Sequence, residues 1–201
     1  LVAAVSNAGG LGLAPLWTDG PDKMRMEIRR IKELTDKPFG VNLNMDFRNE
    51  EQLDVCLEEG VEVVSIFWGD SGNFVERAKS HGVKVILTVS TSDGAREAVD
   101  RGADAICAQG WEAGGHVEGR VSTMALVPAV VDAVGGLPVI AAGGIADGRG
   151  LAAALALGAS AVWIGTRFLA AKEAPTHPIY LDRLIAASGN DTEHYDDLYD
   201  L

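Results

Sequence analysis

Residues 137–170 read LPVIAAGGIADGRGLAAALALGASAVWIGTRFLA. Positions 137–141 form a short apolar run with no polar alternation, which is how a strand covered on both faces reads. A double glycine, Gly143-Gly144, follows at once. Positions 147–157 then read as a helix that stops at Gly158, a residue type suited to a left-handed C-cap. A second apolar run occupies 159–164. Strand, glycine turn, helix, glycine stop and strand make one βαβ unit.

The same unit repeats upstream. Apolar runs at 39–43, 62–68, 83–89 and 103–108 begin roughly 20 to 25 residues apart, the period of a strand plus a crossover helix. The spacing widens only around 109–136. The segments between them read as helices. Positions 22–35 place Met24, Ile28, Ile31 and Leu34 at helical spacing behind Pro21, a tolerated first-turn proline. Positions 50–58, 71–81 and 92–101 follow, the last two stopping at Gly82 and Gly102. At the start, 1–8 reads as a helix and 11–17 as a further strand, the seventh. A closed barrel needs eight parallel strands. The expectation is therefore an α/β TIM (β/α)8 barrel lacking its first strand, with a truncated N-terminus. It occupies 1–201 as a single domain, and 190–201 forms an acidic C-terminal segment. The competing architecture is an open doubly wound sheet, but the regular period shows no composition shift between two halves.

Composition narrows the function classes. The chain has 201 residues, 24 of them glycine, is 47% hydrophobic and carries a formal net charge of −12. That charge argues against nucleic-acid or anionic-membrane binding. The longest basic cluster, Arg29, Arg30 and Lys32, reads as a solvated helix face. No apolar run reaches membrane-spanning length. Cys56 and Cys107 are far apart and read as reduced thiols, which points to a cytoplasmic protein. No histidine pair has metal-ligand spacing, so no metal site is expected. His81, His177 and His194 read as ordinary.

In a parallel barrel the loops after the strands form the active face, and four of them carry chemistry-bearing residues. Gly143 and Gly144 allow close backbone approach to a ligand, and the free N–H groups of the helix that follows favour a phosphate. One unit later, Ile164, Gly165, Thr166 and Arg167 end the next strand. Two glycine sites at successive strand ends suit a phosphate better than either would alone. The long connection 109–120 contains Gln109, Gly114, Gly115 and His116. Its glycines let the chain fold tightly and present His116, a candidate base or hydrogen-bond donor. Glu112 in the same loop reads as a loop charge rather than a second acid, and Trp111 as a mouth residue or a local packer. Asn42 ends an early strand and is either a polar group in the barrel mouth or a turn-former.

Five stretches, LVAAVSNAGGLG at 1–12, PFGVNL at 38–43, AQGWEAGGH at 108–116, AAGGIADGRG at 141–150 and IGTRFLA at 164–170, resemble the nitronate monooxygenase family, formerly called 2-nitropropane dioxygenase. The resemblance covers nearly the whole chain, in order. It implies an FMN-dependent barrel enzyme that oxidises alkyl nitronates with O2 to a carbonyl compound and nitrite. It places Asn42, Gln109, Gly114, Gly144 and the run Trp163, Ile164, Gly165 and Thr166 at flavin contacts. The glycine and threonine groups would hold the phosphate, with Asn42 and Gln109 nearer the ring. Gly115 and Gly143 join this cofactor set through their loops. His116 becomes the active-site histidine. The alternatives are an FMN-dependent enoyl-acyl-carrier-protein reductase using NAD(P)H, which shares the EAGGH loop, a dehydrogenase of the same barrel group acting on another substrate, and a flavin-binding barrel without turnover. The expected partners are a small-molecule substrate and O2, and a homo-oligomer is left open.

Overall fold

The computed structural model describes residues 1–47, 50–69 and 72–195. Helix α1 (Val2–Asn7) leads into strand β1 (Gly12–Pro15). There follow α2 (Pro21–Leu34), β2 (Phe39–Asn44), α3 (Glu50–Glu58), β3 (Val63–Phe67), α4 (Phe74–Ser80) and β4 (Lys84–Val89). The remainder is α5 (Ser92–Asp100), β5 (Ala105–Gln109), α6 (Thr123–Ala133), β6 (Val139–Ala142), α7 (Gly148–Ala156), β7 (Ala161–Trp163) and α8 (Pro178–Ala186). A 3-10 turn, Thr166–Ala170, separates the last two. Each of the seven expected strands is present within a few residues of its apolar run.

The strands form one parallel sheet in the order β1-β2-β3-β4-β5-β6-β7. A doubly wound sheet reverses its strand order at a switch point, and this sheet never does, so the open alternative is set aside. The sheet curls. The Leu1 amino group donates to the Glu173 carbonyl at 3.0 Å, across 172 positions of chain, so α1 lies beside the segment that follows β7.

The curl gives the sheet two unlike faces. Val41, Leu43, Val64, Val85, Ile106 and Val139 point outward and pack against helix residues such as Met24, Ile28, Leu53, Ala78 and Val130, forming the main core. The pleat sends alternate residues the other way. There a smaller cluster forms from Ile86, Cys107 and Ala142, with Ile140 and Trp163 packed against it. Asn42 and Ser65 share this inner face as register partners on β2 and β3. Polar groups thus sit inside the curl, where a ligand approaching the strand ends can meet them.

The αβ junctions repeat one device. After α4, the Gly82 amide bonds Lys79 O and the Val83 amide bonds Ala78 O, with Gly82 at φ +77°. The same double bond recurs at Gly102 and Gly158, both left-handed. This C-terminal motif satisfies orphan helix carbonyls and turns the chain directly into the next strand. The expected basic face is not simply solvated: Arg29 pairs with Glu59 at 2.7 Å, and Arg25 joins the same carboxylate at 3.0 Å. Among the described residues no helix is long and apolar enough to cross a membrane.

Two helices were not anticipated. The composition of α6 is nearly uniform in apolarity, TMALVPAVVDA, with Pro128 inside it, so no polar stripe marks its period. No residue of α8 is buried, so there was no buried stripe to read. Within the acidic segment expected at 190–201, only 190–195 fall among the described residues.

Candidate active site

The carboxyl ends of the strands converge on the connection between β5 and α6. Three close approaches lock it in place. The Gly110 amide donates to Ala142 O at 2.9 Å, tying the loop to the end of β6. A Cβ on Gly114 would stand 2.5 Å from Thr166 Oγ1, so the loop also lies directly on the turn after β7. A Cβ on Gly119 would strike the Ser90 side chain, beyond β4. The loop therefore bridges four strand ends, and glycine is required where it touches them.

Thr123, the first residue of α6, is the hub that sequence reasoning missed. Its amide donates to Glu112 Oε2 at 2.9 Å, and its hydroxyl lies 3.0 Å from the same oxygen and 3.1 Å from Gly143 O. Glu112 thus caps α6, where a negative charge suits the helix N-terminus. That gives the carboxylate a structural task, consistent with its reading as a loop charge. Gly143 sits at φ +113°, and a Cβ there would be 2.7 Å from Thr123 Oγ1. Both a left-handed backbone and lack of room demand glycine at this position.

The phosphate expectation needs one correction. The amides at the start of α7 are not free: Asp147 Oδ1 accepts from Arg149 N at 2.9 Å and from Gly150 N at 3.3 Å. Arg149 also pairs with the Asp147 carboxylate, and these bonds hold its carboxyl below the usual range. A carboxylate at that position opposes a second anion. The open backbone is elsewhere. Gly144, at φ +67°, has only Glu112 Cβ nearby at 3.7 Å, and Gly165 and Gly115 have nothing within 4 Å of where a Cβ would stand. These glycines line clear space at the ends of β6 and β7 and in the long loop.

His116 stands at the mouth of the curl. Gln109, the last residue of β5, donates from Nε2 to the His116 carbonyl at 3.0 Å, which fixes the backbone that carries the imidazole. Two indoles flank that ring at right angles: Trp68 at 5.1 Å and 85°, and Trp17 at 5.8 Å and 87° between centroids. Phe67 stands between the two indoles, 6.3 Å from Trp17 and 5.8 Å from Trp68, and Phe47 leans on Trp17 at 4.8 Å. These aromatic rings come from the ends of β1, β2 and β3, far from residue 116 in sequence. Trp68 is also strained. It is the one non-glycine residue with positive φ (56°) among the described residues, and its buried indole N–H finds no acceptor among them.

The structure therefore brings together His116, Gln109, Gly114, Gly115, Gly143, Gly144, Gly165 and Thr166 around one loop. Asn42 lies on the inner face of β2, paired in register with Ser65 and Pro15. Trp163 lies on the inner face of β7, opposite Ala142, and Ile164 follows it. Trp111 turns to stack on His194 at 3.9 Å, so it packs against the acidic segment. His177 caps α8, with Nδ1 accepting from Ile179 N at 3.3 Å, and His81 Nδ1 lies 2.9 Å from Arg77 O. Burial pushes the thiols of Cys56 and Cys107 up to about 12, so both are inert at neutral pH.

A curled parallel sheet wound in barrel order, with its glycine turns and its histidine loop at the carboxyl edge, defines a βα-barrel-type protein whose chemistry belongs at that edge. The chain belongs to the nitronate monooxygenase family, whose model matches residues 1–51 and 44–195. It is 45% identical over 172 residues to a (3aS,4S,5R,7aS)-5-hydroxy-7a-methyl-1-oxo-octahydro-1H-indene-4-carboxyl-CoA dehydrogenase of Mycobacterium tuberculosis, covering 84% of this chain and 48% of that protein. Among solved structures, FabK from Thermotoga maritima matches with a TM-score of 0.89 at 46% identity, covering 93% of this chain and 60% of the other. The nitroalkane oxidase of Streptomyces ansochromogenes matches with a TM-score of 0.85 at 32% identity, covering 90% and 65%. The chain thus spans about half to two thirds of these relatives.

Proposed function

We propose that residues 1–201 form one FMN-binding domain that oxidises alkyl nitronates with O2 to a carbonyl compound and nitrite. The observation that carries this reading is the assembly of His116 and the open glycines 115, 144 and 165 around one loop at the carboxyl edge. Family membership and the likeness to a nitroalkane oxidase support it. An eighth strand between β7 and β1 would complete the (β/α)8 barrel.

The residues present fit a flavin mononucleotide. Gly144 and Gly165 offer backbone donors to a phosphate in the clear space their missing side chains leave, and Thr166 adds a hydroxyl beside them. Asn42 offers a donor and an acceptor on the inner face, suited to the edge of a heterocycle. Gln109 keeps the His116 backbone in place. When bound, FMN supplies electron acceptance and reaction with oxygen. The protein's part is to orient substrate and hold charge. His116 donates a hydrogen bond to the nitronate oxygens, stabilising the anion in a mouth walled by apolar rings. With a neutral nitroalkane, the same imidazole accepts the carbon-bound proton. A second reading, dehydrogenation of a cyclic acyl-CoA, is favoured by the 45% identity to the indene-carboxyl-CoA dehydrogenase.

The test loads the chain with FMN and compares three activities: nitronate-dependent oxygen uptake with nitrite release, acyl-CoA dehydrogenation, and NAD(P)H oxidation with an enoyl thioester. Nitrite formed in step with oxygen uptake is the expected result. Turnover of either thioester with no nitrite from any nitronate would overturn the reading.

A further inference from the structure

We propose that the aromatic side chains around His116 form a selecting wall that commits the site to substrates bearing a flat or cyclic apolar group close to the reacting carbon. The inference rests on the nitronate reading of the site and adds a substrate class to it. Trp17, Phe67, Trp68 and His116 close a ring, each in contact with the next at centroid distances of 6.3, 5.8, 5.1 and 5.8 Å. Phe47 extends the ring outward and is 56% exposed, so the wall reaches solvent. Four of the chain's nine Phe and Trp residues gather at this one place.

Packing alone does not account for the arrangement. The main core lies between sheet and helices, and none of these rings belongs to it. Trp68 bears two costs there: a left-handed backbone, and a buried N–H without an acceptor among the described residues. Strain of that kind persists where the surroundings impose it, and it clusters at ligand sites. A phenylalanine at this position would keep an aromatic face and leave no N–H to satisfy. The indoles also stand at right angles to the imidazole, so a flat group entering beside His116 meets ring faces and edges in the stacked and edge-on geometries that aromatic pairs favour. A short alkyl chain gains little from such a wall.

The experiment uses the FMN-loaded chain and two nitronates that differ only in the group two bonds from the reacting carbon, methyl against phenyl: those of 1-nitropropane and 2-phenyl-1-nitroethane. The readout is the ratio of their kcat/KM values, phenyl over propyl. Burial of a phenyl group against the wall predicts a ratio on the order of 100. The ratio is expected to fall about tenfold or more in Trp68→Leu and Trp17→Leu. In Phe47→Ala, an exposed position that tolerates truncation, a fall of about threefold is expected. A parallel measurement takes dissociation constants for phenylacetate and propanoate, planar carboxylates that do not react. Phenylacetate binding at least tenfold tighter, with the gap lost in Trp68→Leu, supports the wall even where neither nitronate turns over, so the wall is separable from the proposed reaction. Ratios near one in the unmodified chain, or a phenyl preference that all three variants retain, would overturn it.

Discussion

Gly110→Ala should loosen the loop that carries His116, and its cost can be worked from the geometry. A Cβ at Gly110 would meet Thr123 Oγ1 and would stand 2.5 Å from the Thr123 amide nitrogen and 2.6 Å from its Cα. Two of these three atoms are backbone, so no rotamer change relieves them. The start of α6 must move by about 1 Å, which lies in the overpacking range of about 1–3 kcal/mol. That movement also weakens the Glu112 cap on Thr123, worth about 1 kcal/mol. Alanine recovers about 0.5–1 kcal/mol by restricting the unfolded chain. The net loss is about 1–3.5 kcal/mol. With a urea m-value of about 2 kcal/mol/M, the midpoint should fall by about 0.5–1.8 M, and Tm should fall by about 2–14 °C. Urea titration followed by circular dichroism reads the first, and calorimetry the second. Of the three clashes, adding Thr123→Ala removes only the one with the hydroxyl, and it also removes that hydroxyl's bonds to Glu112 and Gly143 O, so it should restore less than a third of the loss. A Gly110→Ala chain within about 0.5 kcal/mol of the parent, or full rescue by Thr123→Ala, would refute the backbone-wedge reasoning.

Glu112→Ala should cost about 1 kcal/mol through the lost α6 cap, read by the same urea titration, whereas Glu112→Gln should keep kcat within about twofold. A large kcat loss in the glutamine variant with stability intact would restore an acid role to Glu112. The buried cysteines predict alkaline sensitivity. Their folded values near 12 lie above the unfolded range, so between about pH 9 and 12 the unfolded chain releases its thiol protons first and stability falls as pH rises. The slope should approach roughly 1 kcal/mol per pH unit for each thiol, and Cys107→Ala should flatten it in urea titrations run across that range. No flattening would show that Cys107 reaches solvent in the folded chain.

The fold was legible because strands covered on both faces are continuous apolar runs and because glycines mark the αβ junctions; Gly82, Gly102 and Gly158 hold the left-handed positions that their spacing predicts. The missing period at 109–136 concealed α6, whose near-uniform apolarity erased the helical stripe. Within the site, His116 and the glycines could be read because loop length and strand-end position are local signals. Trp17, Phe47, Phe67 and Trp68 could not, because only the curl of the sheet carries the ends of β1, β2 and β3 to a loop after β5. Thr123 was hidden for a related reason: its task is defined by what Gly110, Gly143 and Glu112 lack or offer around it. Position alone suggests free amides at the start of α7, because the sequence shows Asp147 but not that its carboxylate turns back to cap them.

His116 is proposed to act on substrate at a flavin held by the surrounding loops. The most direct test is anaerobic mixing of the FMN-loaded chain with a nitronate, following the flavin absorbance, for the parent chain and for His116→Asn. The account predicts bleaching in the parent. In the variant it predicts a yellow protein with unchanged FMN content whose bleaching is slowed on the order of 100-fold or more. Equal bleaching rates in the two chains would contradict it.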